Sequence, residues 1–203
     1  RTTGDALELI YHGTIARRHG VDLLVRAVAA LVPEIPGIRL TACGEGVLLE
    51  EVRGLALALG VAGSVELPGM LPLESMRGLL LRAAAEVIPL RTDPATRLQL
   101  SVKAHEAVAC GVPVLSTENP TLRHHFGDEE IRYFQPDSVD DVCVAIRELR
   151  RLPAEAAARA ARAAVRLERF AWRHQKEVYR DLIDALAAGP GAGEIHHLQG
   201  ARS

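Results

Sequence analysis

From Leu7 to Leu186, short uninterrupted apolar runs alternate with longer stretches of helical spacing. No other feature restricts the fold as strongly. The runs predict strands at 7–11, 38–42, 65–67, 86–90, 112–115 and 131–134. The spacing predicts helices at 21–31, 48–59, 73–82, around Lys103, just after Pro120, and at 139–149, 154–167 and 172–186. Strands that are apolar throughout, rather than alternating, suit a parallel sheet covered on both faces. Repeated strand–helix units then give an α/β domain with a doubly wound, Rossmann-like parallel sheet. Ligands of such sheets bind beyond the carboxyl ends of the strands. The loops after Gly13, Gly44 and Leu90 lie on that edge, together with the start of the Lys103 helix.

Composition agrees with one domain, expected over 1–187 with 172–187 as its closing helix. The chain has 203 residues, enough for a sizeable core. It is 48% hydrophobic but only 3% aromatic, so that core must be built from Leu, Val and Ala. A net charge of −2 argues against a nucleic-acid or membrane surface. The arginines of 154–169 read as the solvated face of an amphipathic helix. Three cysteines without CxxC spacing suggest neither zinc nor a disulfide framework, which points to a reducing cytoplasm. No run is long enough to span a bilayer. The stretch 188–203 reads as a flexible tail from its Gly-Pro-Gly-Ala-Gly composition, with His196 and His197 in it as solvated residues. His124 and His125 read as a structural or exposed pair.

The stretch Ser101-Val102-Lys103-Ala104-His105-Glu106, running on to Cys110-Gly111-Val112-Pro113-Val114, carries the chemistry. Ser101 is a candidate N-cap. A helix N-terminus with a lysine beside it is suited to phosphate. Glu106, one turn further in, can accept hydrogen bonds from a ribose diol. The plainer alternative is an ordinary i,i+3 Lys103–Glu106 pair. Lys103 and Lys176 are the only lysines of the chain.

Ser-x-Lys-x-x-Glu followed by Cys-Gly-Val-Pro-Val resembles the donor-site helix of GT-B glycosyltransferases of family 4, the group 1 type. Tyr11-His12-Gly13-Thr14, with Gly20-Val21-Asp22-Leu23-Leu24 after it, is similar to that family's opening strand, loop and helix. Leu40 to Gly46 is similar to its second strand and Gly-x-Gly turn. Val65 to Gly69 is similar to its third strand, and Phe170-Ala171-Trp172 to the Phe-Ser-Trp before its last helix. The resemblance covers roughly 7–186.

The resemblance implies the C-terminal, donor-binding half of a retaining glycosyltransferase. The donor is a nucleotide-diphospho-sugar, and no metal or other cofactor is expected. Glu106 matches the glutamate that binds the ribose hydroxyls. The family's other glutamate falls at Leu98, which cannot accept a sugar hydroxyl. The usual diphosphate-binding Arg and Lys fall at Thr14 and His19, so Arg18, next to Arg17, is the expected substitute. Lys103 and Arg18 are the expected catalytic cations, placed against the leaving diphosphate. Gly13 and Gly44 let backbone approach the donor, and the backbone of Gly69, Met70 and Leu71 flanks the base. The N–H groups of Gln99, Leu100, Ser101 and Val102 are expected to form a phosphate nest. Thr92 and Asp93 are candidates for the sugar hydroxyls. The acceptor, a glycan, lipid or small molecule, is assigned to an N-terminal domain expected to be missing from this chain. That domain is also the expected means of any peripheral contact with the inner membrane face. The alternatives are a non-catalytic nucleotide- or carbohydrate-binding module and a GT-B sugar-nucleotide 2-epimerase. A dinucleotide-dependent oxidoreductase is disfavoured, because the first strand–helix turn lacks Gly-x-Gly-x-x-Gly.

Overall fold

The computed structural model describes residues 6–187. The expected tail at 188–203, with His196 and His197, lies outside the described residues. A six-stranded sheet has the order β3-β2-β1-β4-β5-β6 and every pairing is parallel. Its strands are β1 (Leu7–His12), β2 (Ile38–Cys43), β3 (Val65–Gly69), β4 (Ala85–Ile88), β5 (Val114–Thr117) and β6 (Arg132–Phe134). The helices are α1 (Val21–Leu31), α2 (Leu49–Ala58), α3 (Leu73–Arg82), α4 (Val102–Ala109), α5 (Pro120–His125), α6 (Val139–Arg151), α7 (Pro153–Leu167) and α8 (Trp172–Ala187). The loop expected at 91–100 contains a short 3-10 turn, Thr96–Leu98.

The sheet separates two apolar cores. Leu7, Leu9 and Tyr11 of β1 face α1, α2 and α6, while Ile10 faces the layer of α3, α4, α5 and α7. Ala85 and Val87 of β4 join the first core, and Ile88 the second. Period-two alternation therefore sends His12 and Glu86 to the α4 side. There they form a polar island among aliphatic side chains.

Several helices end where their sequence dictates. Asn119 caps α5 by accepting from the Leu122 N–H at 3.0 Å, and Pro120 occupies the first turn. Ser138 caps α6 by accepting from the Asp141 N–H at 3.1 Å. The arginine face of α7 corrects the expectation of a solvated surface. Arg162 Nε donates to the Glu129 carbonyl at 2.7 Å, and Arg159 and Arg166 bond the carbonyls of Asp128 and His125. These arginines fasten α7 to the α5–β6 connection. The helix at 154–167 also buries Ala160 and Ala163, small residues that allow close approach. His125 likewise packs into this region, 4.2 Å from the Phe170 ring centroid, and is more structural than exposed.

Candidate donor site

Backbone contacts interlock the loops at the carboxyl edge. Gly13 N–H donates to Cys43 C=O at 2.8 Å, Ile15 N–H to Glu45 C=O at 2.8 Å, and Gly44 N–H to Gly69 C=O at 2.8 Å. The expected donor-edge residues Gly13, Gly44 and Gly69 are thus brought into one hydrogen-bonded seam. Gly44 has φ +144°, and a Cβ there would stand 1.9 Å from the Gly13 carbonyl oxygen. Only glycine permits this approach. Met70 is exposed and Leu71 half-buried beside the seam.

Lys103 rises from the first turn of α4 and crosses over the end of β1. A Cβ on Gly13 would stand 2.8 Å from its Cε, so the missing side chain makes room for the lysine. Its Nζ lies 5.5 Å from the Tyr11 ring centroid, at cation–π distance. Burial lowers the Lys103 pKa, and the charges of Glu86 and Glu106 oppose that shift. Arg18 is exposed in the 3-10 turn Arg17–His19, and among the described residues neither it nor Arg17 has an ion-pair partner. Its carbonyl accepts from the Arg91 N–H at 2.9 Å. Arg91 in turn pairs with Asp22 and Asp137, each at 2.6 Å, which ties the loop after β4 to the start of α1 and the end of β6.

His19, where the resemblance places one of the family's usual diphosphate cations, is close enough to Lys103 and Arg18 to feel the charge of both. It is 5% exposed and its Nδ1 has no hydrogen-bond partner. Burial lowers its pKa, and Lys103 and Arg18 push the same way. An uncharged imidazole therefore lies where an anion would relieve two positive charges.

Two expectations about α4 need correction, and the plainer alternative for Lys103 and Glu106 is not realised. Ser101 occupies the N-cap position, but its side chain makes no capping bond, and its buried Oγ has no partner. The proposed phosphate nest loses one member, because Gln99 N–H already donates to Thr96 C=O at 3.1 Å. Among the described residues the N–H groups of Leu100 and Ser101 have no backbone acceptor, and Val102 is the first residue of the helix. The Lys103–Glu106 ion pair does not form. Glu106 Oε2 instead lies 2.7 Å from His12 Nε2. Asp93 Oδ1 accepts from the N–H groups of Ala95 and Thr96 at 2.7 and 2.8 Å, which commits that oxygen to the loop's own backbone. Leu98, at the usual glutamate position, is exposed on the 3-10 turn.

His12 is held on both sides. Its Nδ1 lies 3.1 Å from Glu86 Oε2, and its backbone N–H donates to Glu86 Oε1 at 3.3 Å. Glu86 is fully buried, and burial raises its pKa against the pull of His12 and Lys103. Burial alone would lower the His12 pKa, but the bonds and charges of Glu86 and Glu106 prevail and raise it above 6.5. Both residues hide inside apolar runs, so periodicity did not mark them.

Among the described residues no group of His, Cys, Asp and Glu is placed to hold a metal ion, and no helix is long and apolar enough to cross a membrane. A groove of about 550 Å³ adjoins Glu106 and His105 and runs to Phe170 and Ala171. Another, of about 500 Å³, lies under α3 along Glu8, Thr41 and Glu66, away from Lys103.

Known proteins are similar to this chain in sequence and in fold. The D-inositol 3-phosphate glycosyltransferase of Saccharomonospora viridis is 30% identical over 92% of this chain and 45% of its own length. The GDP-mannose-dependent alpha-(1-6)-phosphatidylinositol monomannoside mannosyltransferase of Mycolicibacterium smegmatis is 32% identical over 56% of this chain and 30% of its own length. The chain thus spans less than half the length of these relatives. Anabaena HepE, solved in complex with UDP, superposes with a TM-score of 0.76 at 14% identity, over 89% of this chain and 49% of that one. The fold is the Rossmann-like C-terminal half of the GT-B architecture. The model of the family described as glycosyl transferases group 1 matches residues 6–151, and the chain belongs to that family.

Proposed function

We propose that this domain holds the nucleotide-diphospho-sugar donor of a retaining hexosyltransferase. The acceptor would be bound by a further domain, as the greater length of the relatives suggests. One observation carries the reading: Lys103 extends across Gly13 at the start of α4, with Glu106 one turn deeper on the same helix. A diphosphate fits against Lys103, Arg18 and the free N–H groups of Leu100 to Val102. The ribose diol then reaches Glu106, whose side chain is 45% exposed. The base lies against the backbone of Gly69, Met70 and Leu71.

The chemistry follows from charge. As the glycosidic bond to the donor breaks, the leaving nucleoside diphosphate gains negative charge. Lys103 and Arg18 stabilise it without reorganisation, since both stand at the edge beforehand. His19, whose pKa is lowered by burial and by these two cations, adds no further positive charge to them.

Titration calorimetry with UDP, GDP and ADP tests the assignment. Glu106→Gln removes the charged acceptor and should cost about 1.5–3 kcal/mol of nucleotide affinity. Lys103→Ala should weaken diphosphate binding far more than nucleoside binding, and higher salt should shrink the loss only partly. Equal losses for nucleoside and diphosphate would reassign Lys103 to a structural role. A folded Glu106→Gln variant that binds as tightly as the parent would remove the ribose assignment.

A further inference from the structure

His12 is packed between two carboxylates, and an imidazole ring can serve both only in one form. A carboxylate offers acceptors and no donors. A neutral imidazole carries one N–H, so it can donate to Glu86 or to Glu106 but not to both. The imidazolium carries two. With Nδ1 at 3.1 Å from Glu86 and Nε2 at 2.7 Å from Glu106, and with both glutamates ionised, the two contacts are satisfied together only when His12 is protonated. Glu86 is fully buried and spends both oxygens on His12, one on the ring and one on the backbone N–H. Glu106 spends a single oxygen on the ring, and its half-exposed carboxylate keeps Oε1 for the cleft.

We infer that the His12–Glu86 couple is a positioning device for Glu106, one that fixes the carboxylate for a ribose diol while His12 is protonated and releases it when His12 is neutral. This rests on the proposal that Glu106 binds the ribose. His12 is a positioning residue, since it reaches the donor only through Glu106. The charged and titratable groups around it are few. Glu86 comes from β4, and Glu106 and Lys103 from α4, with Lys103 acting on both glutamates. Cys43 stands beside it on β2, in register with His12, and its thiol is pushed up to about 11 and stays neutral. Tyr11, on the other side of β1, has its phenol raised too, by burial and then by Glu86. His12 is the group of this cluster whose ordinary value already lies near neutral pH. Its two carboxylates move that change upward from 6.5, against the effect of burial.

The device predicts a selectivity rather than a simple affinity. The full chain would be titrated with UDP and GDP and with their 2′,3′-dideoxy forms, from about pH 5.5 to 8.5. Each ratio of ribo to dideoxy affinity reads the grip on the diol. The parent should favour the ribo form by roughly tenfold or more at low pH, since a charged acceptor gives stronger hydrogen bonds. That preference should decay as pH rises through the raised His12 value. In Glu86→Gln, which keeps the shape and removes the buried charge, the decay should move to lower pH. His12→Ala should lose most of the preference at every pH while its affinity for pyrophosphate stays at the parent level. His12→Gln should recover part of it and show a flatter profile, because its amide N–H can reach Glu106 in place of Nε2–H.

Failure of the two ideas can be told apart. If Glu106→Gln abolishes the preference but His12→Ala and Glu86→Gln leave ratio and midpoint at parent values, the positioning couple is overturned and the ribose site stands. If the parent has no preference, or Glu106→Gln retains it, the ribose assignment falls and the couple falls with it. Should His12→Ala not fold by circular dichroism, the midpoint shift in Glu86→Gln decides.

Discussion

α4 and α8 are both amphipathic, yet the domain treats them in opposite ways. α4 has 8 residues and buries Ala104, Ala107 and Val108 against the sheet and α7. Its polar side chains Lys103 and Glu106 are engaged with Gly13, Tyr11 and His12. α8 has 16 residues and buries none of them. Trp172, Tyr179, Leu182, Ile183 and Leu186 all remain exposed, and the Trp172 and Tyr179 ring centroids lie 6.2 Å apart. The shorter helix is the anchored one. Isolated helices of about 12–15 residues or fewer are marginal in water, so burial, and not length, holds α4. The longer helix has the pattern for burial without a partner among the described residues of this domain.

The largest effect should separate the two helices by one substitution each. Ala107 is fully buried at the heart of α4. Ala107→Asp puts an uncompensated carboxylate there and should cost about 3–5 kcal/mol, read by urea unfolding. A loss below about 1 kcal/mol would mean that α4 is not part of the core, and the contrast with α8 would collapse.

A smaller effect concerns pH. The His12 value is raised in the folded chain above the ordinary 6.5, after its carboxylate partners overcome burial. A raised value means that the stabilising contribution is complete below about pH 6.5 and is lost as pH rises through the folded value. Glu86 is raised as well, so its contribution has the same sign. The melting temperature of the parent should therefore fall on going from about pH 6.5 into the alkaline range. The double variant His12→Gln with Glu86→Gln removes both titrating groups and should show a flatter profile over that range. Identical profiles would place the source of the pH dependence elsewhere than beside α4.

Much of the anchored region is legible in the sequence, and the reason is periodicity. Strand–helix alternation located all six strands within a few residues, and the Lys103–Glu106 spacing marked α4 before any coordinates. What periodicity cannot mark is a polar residue inside an apolar run. His12 ends Leu-Glu-Leu-Ile-Tyr-His, and Glu86 stands between Ala85 and Val87. A carboxylate at the second position of a fully buried strand was itself a signal, because such a charge needs a partner. The partner, 74 residues away in sequence, is visible only once β1 and β4 are neighbours. Asp93 gives one oxygen to its own loop for a local reason: short acidic side chains bond the N–H groups two and three residues on. Ser101 failed because the preference of serine for N-cap positions does not fix its rotamer.

The smallest effect is expected on α8, and its smallness is the test. Leu186 is 69% exposed, and nothing in the domain covers Leu182 or Ile183 fully. Leu186→Asp should change stability by no more than about 0.5 kcal/mol, as surface substitutions usually do. A row of exposed apolar side chains costs little in the isolated chain but sets up an interface, since contiguous apolar patches mark sites of association. Hydrogen exchange on the monomeric chain should therefore find the α8 amides weakly protected while those of β1, β4 and α4 exchange slowly. Leu186→Asp should leave that pattern unchanged. Strong protection from Val178 to Leu186 in a monomer, or a loss above 1 kcal/mol on Leu186→Asp, would show that α8 belongs to this core after all. The two helices would then differ in exposure but not in what holds them.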